Sequence, residues 1–232
     1  MSVLELEHVS KCYGQLSEHV ALRDASLQIE AGEMVVVWGM RRSGRSTLLR
    51  IAAGIEKPDA GVVRFEGQDL RAHSSGALGE GIGYCRKRFA PSEGQLVMDQ
   101  LITGLIARGL PPTLAASRAR SALERAGVGP CATLRPAELD YAEAVRVAIA
   151  RSLAFAPRLL LIDEPTIGVD LLARDGILML LHSLAGQGMA ILASTGESTS
   201  LSGARALTLS EGQLYGQPAR ELATVVPLRR TG

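Results

Sequence analysis

Apolar and polar positions alternate in two early stretches, Val3 to Val9 (VLELEHV) and Val20 to Ile29 (VALRDASLQI). That period belongs to strands with one buried face. Met34 to Trp38 (MVVVW) and Arg158 to Ile162 (RLLLI) are instead short apolar runs, predicted strands covered on both faces. Val62 to Phe65, Gly81 to Tyr84, Met189 to Ala193, Arg205 to Leu209 and Gln213 to Tyr215 complete the predicted strands. Helices are predicted from Ser46 to a stop at Gly54 and over Asp170 to Leu184. From about Phe89 to Phe155 the strand signal vanishes. Three helical stretches broken by Gly and Pro replace it: Met98 to Arg108, Thr113 to Ala126 and Glu138 to Ala154. Gln15 to His19 reads as a polar loop, and the tail after Pro218 as a short helix with a loose basic end. The pattern predicts an α/β core of residues 1–88 and 156–232, a mixed sheet flanked by helices. Residues 89–155 form an inserted helical subdomain.

Composition narrows this picture. The chain has 232 residues, 47% of them hydrophobic but only 3% aromatic, so Ala, Leu and Val must fill the core. A net charge of +1 gives no overall pull toward nucleic acid. Cys12, Cys85 and Cys131 form no close pair, which predicts a reducing compartment and no metal cluster. His8, His19, His73 and His182 are scattered and read as surface or structural residues. No apolar run reaches the roughly 18 residues of a membrane span, and no basic-then-apolar leader is visible. The expectation is a soluble, cytoplasmic chain, held at a membrane only through a partner.

The candidate chemistry begins where the MVVVW strand runs into Gly39-Met40-Arg41-Arg42-Ser43-Gly44-Arg45-Ser46-Thr47. Fitted to G-x-x-x-x-G-K-[ST], this stretch keeps Gly39, Gly44 and Ser46 and has Arg45 for the lysine. Glycines let several N–H groups turn inward, and the following helix adds its positive end; together they cradle phosphate oxygens. The serine hydroxyl suits Mg²⁺. Much later, LLLIDEP (Leu159 to Pro165) ends a buried strand in two acids, at the edge of a parallel sheet where ligands bind. Asp163 is the candidate metal partner of Ser46, and Glu164 the candidate base for an attacking water. Joined, the two stretches predict a P-loop NTPase core.

Over nearly its whole length the chain resembles the nucleotide-binding subunit of an ABC (ATP-binding cassette) transporter. The resemblance rests on KCYG near the start, GMRRSGRSTLLRIAAGIEKPDAGVVRFEG, RVAIARSLAFAPRLLLIDEPTIGVD and the closing EGQL. It implies ATP and Mg²⁺ as ligands and two such domains packed head to tail, with ATP between one phosphate loop and the other signature loop. It also implies a membrane-embedded permease docking on the helical insert, at the cytoplasmic face. The turn GQLSEHVAL is similar to the subgroup serving lipoprotein release, macrolide efflux and cell-division permeases. Tyr13 matches the aromatic that stacks on adenine, and Asp170 the end of the loop that crosses to the other subunit.

Several matched positions depart from the family pattern. The signature, LSGGE or LSGGQ in the family, falls on Leu139-Asp140-Tyr141-Ala142-Glu143, without the serine and both glycines. Asp140 is expected to repel a phosphate there. The family glutamine falls near Lys87 and the family histidine on Thr195, which can neither carry a positive charge nor shuttle a proton. Arg45 keeps the lysine charge on a longer, planar head. Two readings follow: a working ATPase that drives transport, or a nucleotide-binding, poorly catalytic subunit paired with a different, more competent one. The departures favour the second. A soluble ABC protein of translation or DNA repair is disfavoured, since the chain shows neither tandem cassettes nor a long coiled-coil insert.

Overall fold

The computed structural model describes residues 2–14, 19–70, 81–86, 94–196 and 203–216. Lys87, most of the Gln15 to His19 loop and the tail after Pro218 lie outside them.

The alternating segments form a sheet of their own. β1 (Ser2–Tyr13) pairs antiparallel with β2 (His19–Glu30). The continuous apolar run is β3 (Met34–Trp38), and the glycine loop leads from it into α1 (Arg45–Ala52). β4 (Ala60–Phe65) returns to the other edge of β1 and turns at Glu66-Gly67 into the two-residue β5 (Gln68–Asp69). These four strands run in the order β2-β1-β4-β5.

The second sheet collects the buried runs. β6 (Ile82–Cys85) is its edge. The helical stretch follows as α2 (Val97–Ile106), α3 (Pro112–Arg125) and α4 (Tyr141–Leu153). Then come β7 (Leu159–Ile162), α5 (Leu171–Gly186), β8 (Ala190–Thr195), β9 (Arg205–Ser210) and β10 (Gln213–Gly216). The order is β10-β9-β3-β8-β7-β6, parallel throughout except for β10. The expected single mixed sheet is therefore this one. The early alternating strands are not part of it, because each needs only one covered face and finds it above α1.

Strand periodicity assigns the two faces. Val35, Val37, Leu159, Leu161, Ala190 and Leu192 point to one side and pack with Leu48, Leu49 and Ile51 of α1 and with Leu4, Leu6 and Ile29 of the first sheet. Met34, Val36, Leu160, Ile162, Ile191 and Ala193 point to the other side, toward Ile177 and Leu181 of α5 and Ile149 of α4. The same cluster continues through Leu101, Leu105, Ala119 and Leu123 of α2 and α3. Each buried leucine or valine contributes about 1.5–3 kcal/mol of transfer free energy. All three cysteines are free thiols; burial pushes Cys85 up to about 11, so it stays protonated near neutral pH.

Candidate functional site

Parallel pairing brings three strand ends to one edge. Trp38 lies opposite Thr195 and Ile162 opposite Ala193, so the glycine loop, the acid pair and Thr195-Gly196 share that edge. The Gly39 N–H donates to the Thr195 carbonyl at 3.3 Å. A side chain at Gly39 would place its Cβ 2.4 Å from Ser43 Oγ and 2.6 Å from the Leu209 carbonyl oxygen. Gly44 has φ +103, and a Cβ there would sit 1.9 Å from the Ala21 carbonyl oxygen of β2. Close approach thus requires glycine at both positions, and at Gly44 the positive φ requires it as well. Between them, the Ser43 N–H turns back to the Met40 carbonyl at 3.1 Å and Arg42 takes φ 67. Ser43 Oγ and Arg45 Nη1 are buried without a hydrogen-bond partner, donors of the kind a phosphate oxygen takes up. The loop residues Arg42 to Thr47 line a cleft of about 450 Å³ with Tyr13, His19 and Ala21.

The sequence-predicted metal pair meets. Ser46 Oγ donates to Asp163 Oδ2 at 2.8 Å, and Ser194 Oγ donates to Asp163 Oδ1 at 2.6 Å. A hydroxyl and a carboxylate are hard oxygen donors; with phosphate oxygens and water they suit Mg²⁺, which rarely takes an all-protein cage. Ser194 also accepts from the Glu164 N–H at 3.0 Å, holding the backbone where Glu164 adopts φ 49. A left-handed glutamate costs about 1–3 kcal/mol and persists because its surroundings fix it. Sequence reasoning passed over Ser194, although its place beside Thr195 at a strand end was a usable signal.

Glu164 and Arg45 form an ion pair. Arg45 Nη2 lies 2.8 Å from Glu164 Oε1, with only 7% and 9% of the two side chains exposed. Gly196 lies against it; a Cβ there would stand 3.5 Å from both Arg45 Nη2 and Glu164 Oε1. The pair lines a second cleft, about 410 Å³, with Arg41, Thr166, Ile167 and the buried Thr195. Removing one member of such a buried pair costs about 3–5 kcal/mol, because the other charge is left stranded. Arg45 therefore touches the acid that the sequence reading offered as a base.

Tyr13 reaches the loop from β1. Its hydroxyl donates to Glu56, accepts from Arg50 Nη2 at 2.9 Å and lies 3.2 Å from Thr47 Oγ1. Arg50 also donates to Glu56 Oε2 at 2.8 Å and to Thr47 Oγ1 at 3.2 Å. Lys11 stands 5.7 Å over the ring. The hydroxyl is held by Thr47 and Arg50 of α1 and by Glu56, and Tyr13 lines the loop cleft. Lys11, Arg50 and Glu56 had not been picked out in the sequence.

The signature positions open α4. Leu139 packs on the helical core, and Asp140 is the N-cap. Asp140 Oδ1 accepts from the Glu143 N–H at 2.7 Å, and Glu143 Oε2 accepts from the Asp140 N–H at 3.0 Å. This reciprocal box satisfies donors at the helix start. Asp140 has a local role here, a carboxylate filling its own helix terminus. The exposed Tyr141 ring lies against Gly168; Ala142 follows it in the first turn. Asp170 caps α5, accepting from the Ala173 N–H at 3.0 Å.

Residues 22–167 match the ABC transporter family. The chain is 33% identical to the cell division ATP-binding protein FtsE of Escherichia coli K12 over 224 residues, covering 94% of this chain and 100% of that protein. It is 35% identical to the lipoprotein-releasing system ATP-binding protein LolD of Chromohalobacter salexigens, over 80% of each chain. In structure it is similar to a dimeric ATP-binding cassette in a post-hydrolysis state bound to ADP and phosphate. The TM-score is 0.82 at 26% identity, covering 93% of this chain and 99% of that one. The chain belongs to the ABC transporter family, as an ATP-binding subunit.

Proposed function

We propose that this chain binds ATP but hydrolyses it weakly, and that it is one member of an asymmetric pair of ATP-binding subunits serving an integral membrane permease. The observation that carries this reading is the Arg45–Glu164 pair, which engages the candidate base with the residue standing in the lysine position. Phosphoryl transfer depends on positioned charge and an oriented water. A glutamate neutralised by a buried guanidinium is a poor base. Thr195 and the Asp140-Tyr141-Ala142 run support the same reading, since neither supplies the groups the family uses. A homodimer would carry each departure twice, which favours a different chain as partner.

The names of FtsE and LolD, ATP-binding proteins, and of the macrolide export ATP-binding/permease protein MacB of Salmonella typhi (30% identical over 227 residues), support ATP binding in the service of a permease; we place that work at the cytoplasmic face of a membrane. Among the described residues no helix is long and apolar enough to cross one. In this reading residues 1–88 and 156–232 bind nucleotide with Tyr13 and the loop Gly39 to Thr47. Ser46 and Asp163 hold Mg²⁺, which when bound neutralises phosphate charge. Residues 89–155 meet the permease, and Asp170 faces the partner subunit.

A competent ATPase is the second reading, favoured by the Ser46–Asp163 contact and by Glu164 beside it. Steady-state phosphate release separates the two. The purified chain is expected to bind nucleotide and turn it over near background, and Glu164→Gln to leave that rate unchanged. Brisk turnover, abolished by Glu164→Gln, would establish the competent enzyme instead.

A further inference from the structure

We infer that the nucleotide cleft is blind to the third phosphate and holds nucleoside diphosphates and triphosphates alike, because the Glu164 carboxylate already occupies the cation that would read it. The inference rests on the nucleotide-binding reading above and concerns which nucleotide that site prefers.

A phosphate loop divides its work. Backbone N–H groups hold the α- and β-phosphates, and the basic residue at the lysine position reaches the β/γ pair. The first part is present here. Gly39 and Gly44 let the loop fold tightly against Leu209 and Ala21, and Ser43 Oγ is a buried donor with no hydrogen-bond partner. The second part is diverted. Arg45 Nη2 lies 2.8 Å from Glu164 Oε1, and more than nine-tenths of each side chain is buried. Its Nη1, also buried, has no hydrogen-bond partner, so the guanidinium keeps N–H donors beside an already neutralised head. Those donors can serve a β-phosphate held by the loop.

A γ-phosphate then meets one of two situations. If the ion pair persists, the incoming negative charge approaches a neutral couple whose anionic half repels it. If the pair opens, a buried glutamate is left without its cation. Either way the attraction that normally rewards the third phosphate is cancelled by an internal carboxylate. The Ser46 hydroxyl donates to Asp163, a bond that would have to open if the two residues were to hold a metal. The planar head matters too: arginine can present one nitrogen to Glu164 and the other elsewhere, which a compact ammonium cannot.

Isothermal calorimetry of the purified chain with ADP and with ATP, both in EDTA, tests this. Removing metal prevents hydrolysis and takes the metal's own preference out of the comparison. The wild-type dissociation constants are expected within about threefold of each other. Glu164→Gln, nearly isosteric, frees Arg45: ATP is expected to tighten about tenfold or more, about 1.4 kcal/mol, while ADP stays within about threefold. A wild-type preference for ATP of tenfold or more overturns the inference and leaves the nucleotide-binding reading standing. Equal tightening of both nucleotides by Glu164→Gln also overturns it, since the carboxylate would then act on the cleft as a whole. Binding of neither nucleotide overturns the nucleotide-binding reading and this inference with it.

Discussion

Arg45 shows how one substitution changes more than its own position. Lysine to arginine conserves charge, yet the longer fork spans to Glu164 and takes a second functional residue with it. None of this was legible in the sequence, where the two residues belong to separate segments and only folding brings them to one sheet edge. The glycines were legible as a loop, but not the cause of Gly44. That residue is fixed from outside by the Ala21 carbonyl of β2, a contact no local pattern encodes. Gly44→Ala is therefore expected to weaken nucleotide binding at least tenfold and to destabilise the fold by about 1–3 kcal/mol. Calorimetry and a urea titration check the two effects separately.

Among elements, the apolar runs were the most readable. β3, β7 and β8 lie in the middle of a parallel sheet, and near-continuous hydrophobicity is what two covered faces demand. The alternating segments were also found as strands, but alternation says only that one face is buried, not which sheet receives it. β5 has two residues and no periodicity to detect. α4 shows a different limit. The sequence pattern places its start at Glu138, whereas the helix begins at Tyr141 behind the Asp-x-x-Glu box of Asp140 and Glu143, itself visible in the same letters. Asp140→Ala is expected to cost about 1 kcal/mol through loss of the cap, seen as a lower Tm by circular dichroism. An unchanged Tm would mean that Glu143 and solvent satisfy the helix start without it.

On the scale of the whole molecule, the helical stretch is not built as a separate body. α2, α3 and α4 share one hydrophobic cluster with α5 and with one face of the six-stranded sheet. Sequence showed the change in composition but not this shared core, because helix periodicity reveals that a face is buried and not against what. The arrangement predicts one cooperative unfolding transition. Trp38, the sole tryptophan, reports on the sheet edge, and far-ultraviolet circular dichroism reports mainly on the helices. The two urea curves are expected to coincide. An earlier loss of ellipticity would show that the helices separate first.

The Tyr141 ring against Gly168 has a consequence for substitution. A Cβ on Gly168 would come 3.5 Å from Tyr141 Cζ, and φ +74 holds the loop in a turn that few other residues adopt easily. This contact sets the start of α4 against the loop that leaves Glu164 for α5, and Arg146 of α4 also reaches Gly176 of α5. Any other residue at Gly168 would be strained by the positive φ, so the place where the two segments meet tolerates little change.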